Sequence, residues 1–188
     1  MKTIRLLLAA FLLSALLPSL ALAYSYAAAG KEPLIDGREA ILAAITANDW
    51  NKADAVLSDL RPEISYLVEH HDAELGKALT QAVAARDAGA VAAGLRRAFA
   101  AEIERRLDGA GANLGDYQTA KVLVVKSKRF LDAIAGDLEP AARGAAEAGM
   151  SQVIAAIGNP GVFGAGRRPA DPAAFAQARK ATLAALGR

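Results

Sequence analysis

The sequence AGAVAAGLRRAFAAEIERRL, residues 88–107, indicates the fold class of this protein. Its alanine, leucine, arginine and glutamate residues have the highest intrinsic helix propensities. Its large apolar residues recur at helical spacing, which places Val91, Leu95 and Phe99 on one face of a helix. The same composition continues along the chain, of which about a quarter is alanine, and no stretch after residue 30 alternates apolar and polar positions for long. The sequence therefore predicts an all-α protein.

The helices are expected to form one domain. We predict an antiparallel bundle of five or six helices over residues 34–188, after a flexible leader at residues 24–33. Apolar residues at helical spacing define the side of each helix that should face the centre. They are Ile41, Ile45, Ile64, Leu67, Val68, Leu75, Leu79, Val91, Leu95, Phe99, Tyr117, Val124, Leu131, Ile134 and Leu138.

Several helix ends can be located from capping residues. Asp36, with Glu39 three positions later, forms a capping-box pattern and predicts the start of the first helix. Asp49 predicts the start of the second helix, and Asp171, directly before a proline, predicts the start of the last. The glycine-containing segment 108–113 predicts a loop between two helices.

A weak internal repeat has a spacing of 38 residues. The segment 45–49 ends in Asp49, and the segment 83–87 ends in Asp87 in the same way. Two copies of a helix–turn–helix unit can belong to a solenoid or can be two hairpins of one bundle. The small number of copies favours the two hairpins.

The amino-terminal segment predicts export. Lys2 and Arg5 precede the apolar run 6–17, and Ala21-Leu22-Ala23 has the small residues that signal peptidase requires. We therefore expect residues 1–23 to be a cleaved signal peptide and the protein to be periplasmic. The alternative is a retained membrane anchor, for which the interrupted apolar stretch is short.

Composition excludes several functional classes. The chain has 22 basic and 20 acidic residues, and both basic residues of segment 1–23 leave with it, so the remaining chain is formally neutral. Nucleic-acid binding requires clustered positive charge and is not expected. The absence of cysteine and of a Gly-x-Ser-x-Gly motif, together with only two histidines, argues against an enzyme.

The densest polar segment is Glu69-His70-His71-Asp72-Ala73-Glu74. On a continuous helix, His71 and Glu74 lie three residues apart on one face, and imidazole with carboxylate suits iron, manganese, zinc or copper. His71 also continues the apolar stripe and is expected to point inward. We therefore predict His71 and Glu74 as metal ligands, with His70 or Glu69 in reserve. The alternative is a hydrated helix end without a metal.

A ligand from a second helix would complete such a site. Glu102 lies at the edge of the stripe of Val91, Leu95 and Phe99, and we predict it as the additional carboxylate. The residue types leave the identity of the transition-metal ion open.

The residues His71-Asp72-Ala73-Glu74 resemble part of a family motif. Exported all-α proteins of the imelysin type, linked to iron uptake, have a Gly-x-His-x-x-Glu motif, and the chain has Glu69 at the glycine position. The segment is also similar to the periplasmic helical domains of iron permeases. The resemblance implies an iron-type metal and an accessory role.

Two further segments could contact a partner. The segment 158–168 is rich in glycine and is either an ordered connection or a docking loop with Phe163 as its apolar anchor. Lys121, Lys126, Lys128 and Arg129 make one helix basic, which indicates a solvated face or a face that docks an acidic surface. The sequence thus predicts a non-enzymatic periplasmic binding protein that handles a metal. The alternative is a structural adaptor that docks a periplasmic or inner-membrane protein.

Overall fold

The computed structural model describes residues 30–162 and 165–188. Within these ranges the protein has eight α-helices and no β-strand, so the predicted all-α class is confirmed. The number of helices in the described part exceeds the five or six predicted. The predicted signal peptide and residues 24–29 of the predicted leader lie outside the described residues. The helices are α1 Pro33–Thr46, α2 Trp50–Asp59, α3 Arg61–His70, α4 Leu75–Ala84, α5 Ala88–Ala112, α6 Tyr117–Ile134, α7 Pro140–Ala156 and α8 Pro172–Ala185.

Helix α5 forms the centre of residues 33–188. It packs against α1, α3, α4, α6 and α8, whereas α7 packs mainly against α8. Val91, Leu95 and Phe99 are fully buried as predicted, and residues on other sides of α5, including Ala100 and Ala101, are buried too. A helix surrounded on most sides must be apolar around much of its circumference, which α5 achieves largely with alanine. None of the described helices combines the length and the apolar content needed to cross a bilayer.

The predicted loop at residues 108–113 is wrong, because α5 continues to Ala112. Its glycines allow neighbouring helices to approach. A Cβ atom on Gly109 would lie 3.2 Å from Leu123 of α6, and one on Gly111 would lie 3.1 Å from Phe175 of α8. These glycines therefore serve close helix packing rather than a turn.

Two of the three predicted aspartate caps lie at the start of a helix. Asp49 accepts a hydrogen bond from the amide of Lys52, and Asp171 accepts one from Ala174, which confirms both predicted caps. Asp36 does not cap α1; it lies inside the first turn, because the helix begins at Pro33. Proline is favoured at a first helical turn, where its missing amide costs no hydrogen bond.

The segment between α7 and α8 contains two isolated antiparallel β-bridges. Asn159 and Arg168 exchange two backbone hydrogen bonds of 2.8 Å, and Val162 pairs with Ala165. Gly158 has φ +80°, and a side chain there would collide with the Arg168 carbonyl. The described residues of the segment are thus held by backbone hydrogen bonds, and Phe163, predicted as a docking anchor, lies outside the described residues.

Candidate functional site

The helical conformation is interrupted between α3 and α4, within the predicted metal-binding segment, and we call this interruption the α3–α4 break. His71 has φ −134° and ψ −38° and ends α3. The amides of His71 and Asp72 both donate to the carbonyl of Leu67, at 2.9 and 2.8 Å, so the helical hydrogen-bond pattern stops there. Helix α4 then begins at Leu75. The helical spacing that placed His71 and Glu74 on one face is therefore absent.

His71 points inward toward α5, as its position on the apolar stripe predicts. Its side chain is 12% exposed, and its Nδ1 lies 3.6 Å from Oε2 of Glu104. Asp108 follows Glu104 by one helical turn on α5. His71, Glu104 and Asp108 each offer one ligand atom, and these atoms lie within 4.8 Å of one another. In the described part of the chain, this metal triad is the one group of three or more histidines and carboxylates with such spacing.

The donor set of the metal triad has a definite chemistry. One imidazole nitrogen and two carboxylate oxygens suit divalent iron, manganese or zinc. Bonds of about 2.0–2.2 Å to a common ion place two ligand atoms roughly 3–3.6 Å apart. The 3.6 Å between His71 and Glu104 is already near that range.

Two arginines of the carboxy-terminal region already contact the carboxylates of the metal triad. Arg188 donates from Nε, at 2.9 Å, and from Nη2 to Oε2 of Glu104, and its Nη2 also donates to the carbonyl of His71 at 2.7 Å. Arg179 places Nη2 2.5 Å from Asp108 and 3.7 Å from Oε1 of Glu104. Both carboxylates are thus neutralised by cations of the chain itself.

Asp72 extends this group into a larger ionic network. Arg97 donates to both oxygens of Asp72, at 3.1 and 2.6 Å, and Arg188 lies 3.5 Å from the same carboxylate. The network then contains three carboxylates and three arginines.

The remaining predicted ligands of the 69–74 segment lie outside the metal triad. Glu69 and His70 have side chains that are 75% and 46% exposed, and their nearest charged atoms are 3.7 Å apart. The His70 ring lies against Tyr66, with ring centroids 4.5 Å apart. Glu74 is exposed just before α4. Glu69 and His70 lie on the exposed side of α3, and Glu74 lies beyond the α3–α4 break, so the structure does not bring all three together around one point.

Glu102 is buried but engaged elsewhere. Its carboxylate accepts two hydrogen bonds from Arg105 and one from Arg106, each 2.7 Å long. The guanidinium of Arg106 lies 4.9 Å from the ring centroid of Phe130, in cation–π contact. Glu102 therefore forms an ion-paired cluster on α5 that is separate from the metal triad.

Sequence reasoning missed Glu104, Asp108, Arg179 and Arg188. The spacing of Glu104 and Asp108 is a usable signal, since residues four apart share a helix face. No comparable signal exists for Arg188, which lies 84 positions from Glu104 and 117 from His71.

The chain was also compared with known proteins. No protein-family model, no curated protein and no solved structure matches it. The resemblance of residues 71–74 to imelysin-type proteins therefore stays a prediction.

Proposed function

We propose that this protein is an exported, non-enzymatic helical binding protein that handles a divalent transition-metal ion, with His71, Glu104 and Asp108 as ligands. The observation that supports the proposal is the spacing of the metal triad, whose three ligand atoms come from the α3–α4 break and from α5 and lie within 4.8 Å of one another. We retain His71 from the sequence prediction and replace Glu74 by Glu104 and Asp108.

The surroundings of the metal triad favour reversible binding. Glu104 and Asp108 have arginine partners within the chain itself, so the charge of both carboxylates is compensated without an ion. Such a site suits a carrier or accessory protein that takes up and releases an ion in the periplasm.

Metal titration tests this function. We expect Mn²⁺, Zn²⁺ or Fe²⁺ under anaerobic conditions to bind one site, and both His71→Ala and Asp108→Asn to abolish binding. His70→Ala is the matched control, because it removes the neighbouring, exposed imidazole. Binding that is lost in Glu74→Ala and retained in Asp108→Asn would favour the ligand set predicted from the sequence. No binding of any of the three ions would refute the metal function.

A second candidate function is docking of an acidic protein partner, and one observation favours it. Val122 and Val125 on α6 are 45% and 49% exposed, and the exposed Lys121 and Arg129 lie on the same face. Apolar side chains flanked by cations match the surface of an acidic protein.

Site-specific photo-cross-linking tests the docking function. A photoreactive residue at position 125 should give a single cross-linked protein, and Arg129→Glu should remove that product. The same group at the exposed Ala141 of α7 is the control. A product that persists in Arg129→Glu, or the absence of any product, would contradict docking through this face.

A further inference from the structure

We infer that Arg188 is a built-in competitor of the metal ion, so that metal binding at the triad releases the end of α8 from the α3–α4 break. This inference rests on the proposed metal function and adds a regulatory device to the same site. Its basis is that the ion and Arg188 require the same oxygen atom.

Oε2 of Glu104 is the shared atom. It lies 3.6 Å from Nδ1 of His71, which makes it the carboxylate oxygen placed to complete a metal site with that imidazole. The same oxygen accepts both hydrogen bonds that Arg188 donates to Glu104. A metal ion and a guanidinium are both cations, and they would repel each other if both were bound to the same carboxylate oxygen. Occupancy of Oε2 by one therefore excludes the other.

The position of Arg188 is determined by the end of α8. Gly187 has φ +76°, and the amides of Gly187 and Arg188 donate back to the carbonyls of Ala184 and Leu183. This pattern is a Schellman motif, which reverses the chain direction and turns Arg188 toward α3. Its second anchor is the carbonyl of His71, so Arg188 joins α8 to the α3–α4 break as well as to α5.

The release that we infer is confined to the last turn of α8. Phe175, Ala178 and Leu183 are buried and hold the rest of the helix in place. Loss of the Arg188 side-chain contacts therefore loosens residues 184–188 without detaching α8.

Thermodynamic linkage predicts how much the removal of Arg188 changes the affinity for the metal. If Arg188 and the metal exclude each other, removal of Arg188 must tighten metal binding by the factor by which the metal weakens the Arg188 contacts. Coupling between sites is typically about 5- to 150-fold in affinity. Arg179 contacts Asp108 at 2.5 Å, so its removal should tighten binding as well.

The first experiment compares Mn²⁺ and Zn²⁺ titrations of the wild-type protein, Arg188→Gln and Arg97→Gln. The Arg97 variant is the matched control, because it removes one positive charge from the same network without vacating Glu104. We expect Arg188→Gln to bind at least about fivefold more tightly than the wild type, and Arg97→Gln to show a much smaller change. Equal affinities for wild type and Arg188→Gln would overturn the inference and leave the metal function intact, as would an equal gain in Arg97→Gln. Absence of binding in all three proteins would overturn both.

The second experiment uses the wild-type protein and does not depend on the stability of a variant. Amide hydrogen exchange of residues 184–188 should accelerate when the protein is saturated with Mn²⁺ or Zn²⁺, and His71→Ala should show no acceleration. Unchanged or slower exchange in the saturated wild-type protein would overturn the inference and leave the metal function intact.

Discussion

Asn48 and Arg86, 38 residues apart, have the same left-handed backbone conformation, with φ 57° and 54°. Each ends a helix and is followed by an aspartate that caps the next helix. The amides of these aspartates donate across the turn to Ala44 and Ala82, respectively. The weak sequence repeat is therefore a repeated turn that joins α1 to α2 and α4 to α5.

The left-handed backbone conformation costs Arg86 more free energy than Asn48, which gives a prediction for stability. A β-carbon in the left-handed region costs about 1–2 kcal/mol, and asparagine tolerates this region better than arginine. Asn48 also accepts a hydrogen bond from Trp50 at 3.1 Å. We expect Arg86→Gly to raise the free energy of unfolding by about 0.5–1 kcal/mol, and Asn48→Gly to leave it unchanged or lower it. Urea denaturation measures both, and a destabilised Arg86→Gly protein would contradict the strain argument.

Gly149 lets α7 and α8 pack closely. A Cβ atom there would lie 2.5 Å from Oγ1 of Thr182 and 3.0 Å from its backbone nitrogen, so the helices would have to separate. We expect Gly149→Ala to destabilise the protein by about 1–3 kcal/mol. Gly144 on the same helix has open space at its Cβ position, and Gly144→Ala should stabilise by up to about 1 kcal/mol through helix propensity. Thermal unfolding of the two variants should therefore shift in opposite directions.

Glu102 provides a contrast between buried and exposed ion pairs. Its side chain and that of Arg106 are 10% and 7% exposed, whereas those of Lys128 and Asp132 are about half exposed. Glu102→Gln should destabilise the protein by about 2–4 kcal/mol, because it removes one charge of a buried pair. Asp132→Asn should change stability by less than about 0.5 kcal/mol. Glu102→Gln should also retain metal binding, and loss of binding in that variant would restore Glu102 as a ligand.

Asp116 gives a pH-dependent prediction. The Thr119 hydroxyl, at 2.6 Å, followed by the Thr119 and Gln118 amides, lowers the pKa of the Asp116 carboxyl below its usual value. A lowered pKa in the folded state adds stability above the unfolded pKa, about 3.9, and this stability is lost as the pH falls through the folded pKa.

The Asp116 prediction is checked with Asp116→Asn, which keeps a capping side chain but removes the charge. The variant should be less stable than the wild type at neutral pH, and the difference should disappear in strong acid. In NMR titration, Thr119→Val should raise the pKa of Asp116 toward the usual value. An unchanged pKa in that variant would show that the hydroxyl is not the cause.

The sequence predicts helix starts well, because a cap depends on residues that are close together in the sequence. Asp49, Asp87 and Asp171 cap helices because a carboxylate binds the free amides of the very next turn. The prediction of a loop at Gly109 and Gly111 is wrong, because a glycine needed for a turn and one needed for close packing look alike in a sequence. Only the neighbours, Leu123 and Phe175, distinguish the two.

In the candidate site, too, some features follow from the local sequence and others from tertiary packing. The sequence alone determined the all-α class and the inward direction of His71, because composition and helical periodicity specify which face of a helix is apolar. The tertiary structure alone decided which carboxylates face that histidine. Glu104, Asp108 and Arg188 reach it through the packing of α5 and α8 on the α3–α4 break, and contacts between residues 84 or 117 positions apart leave no periodic trace in a sequence.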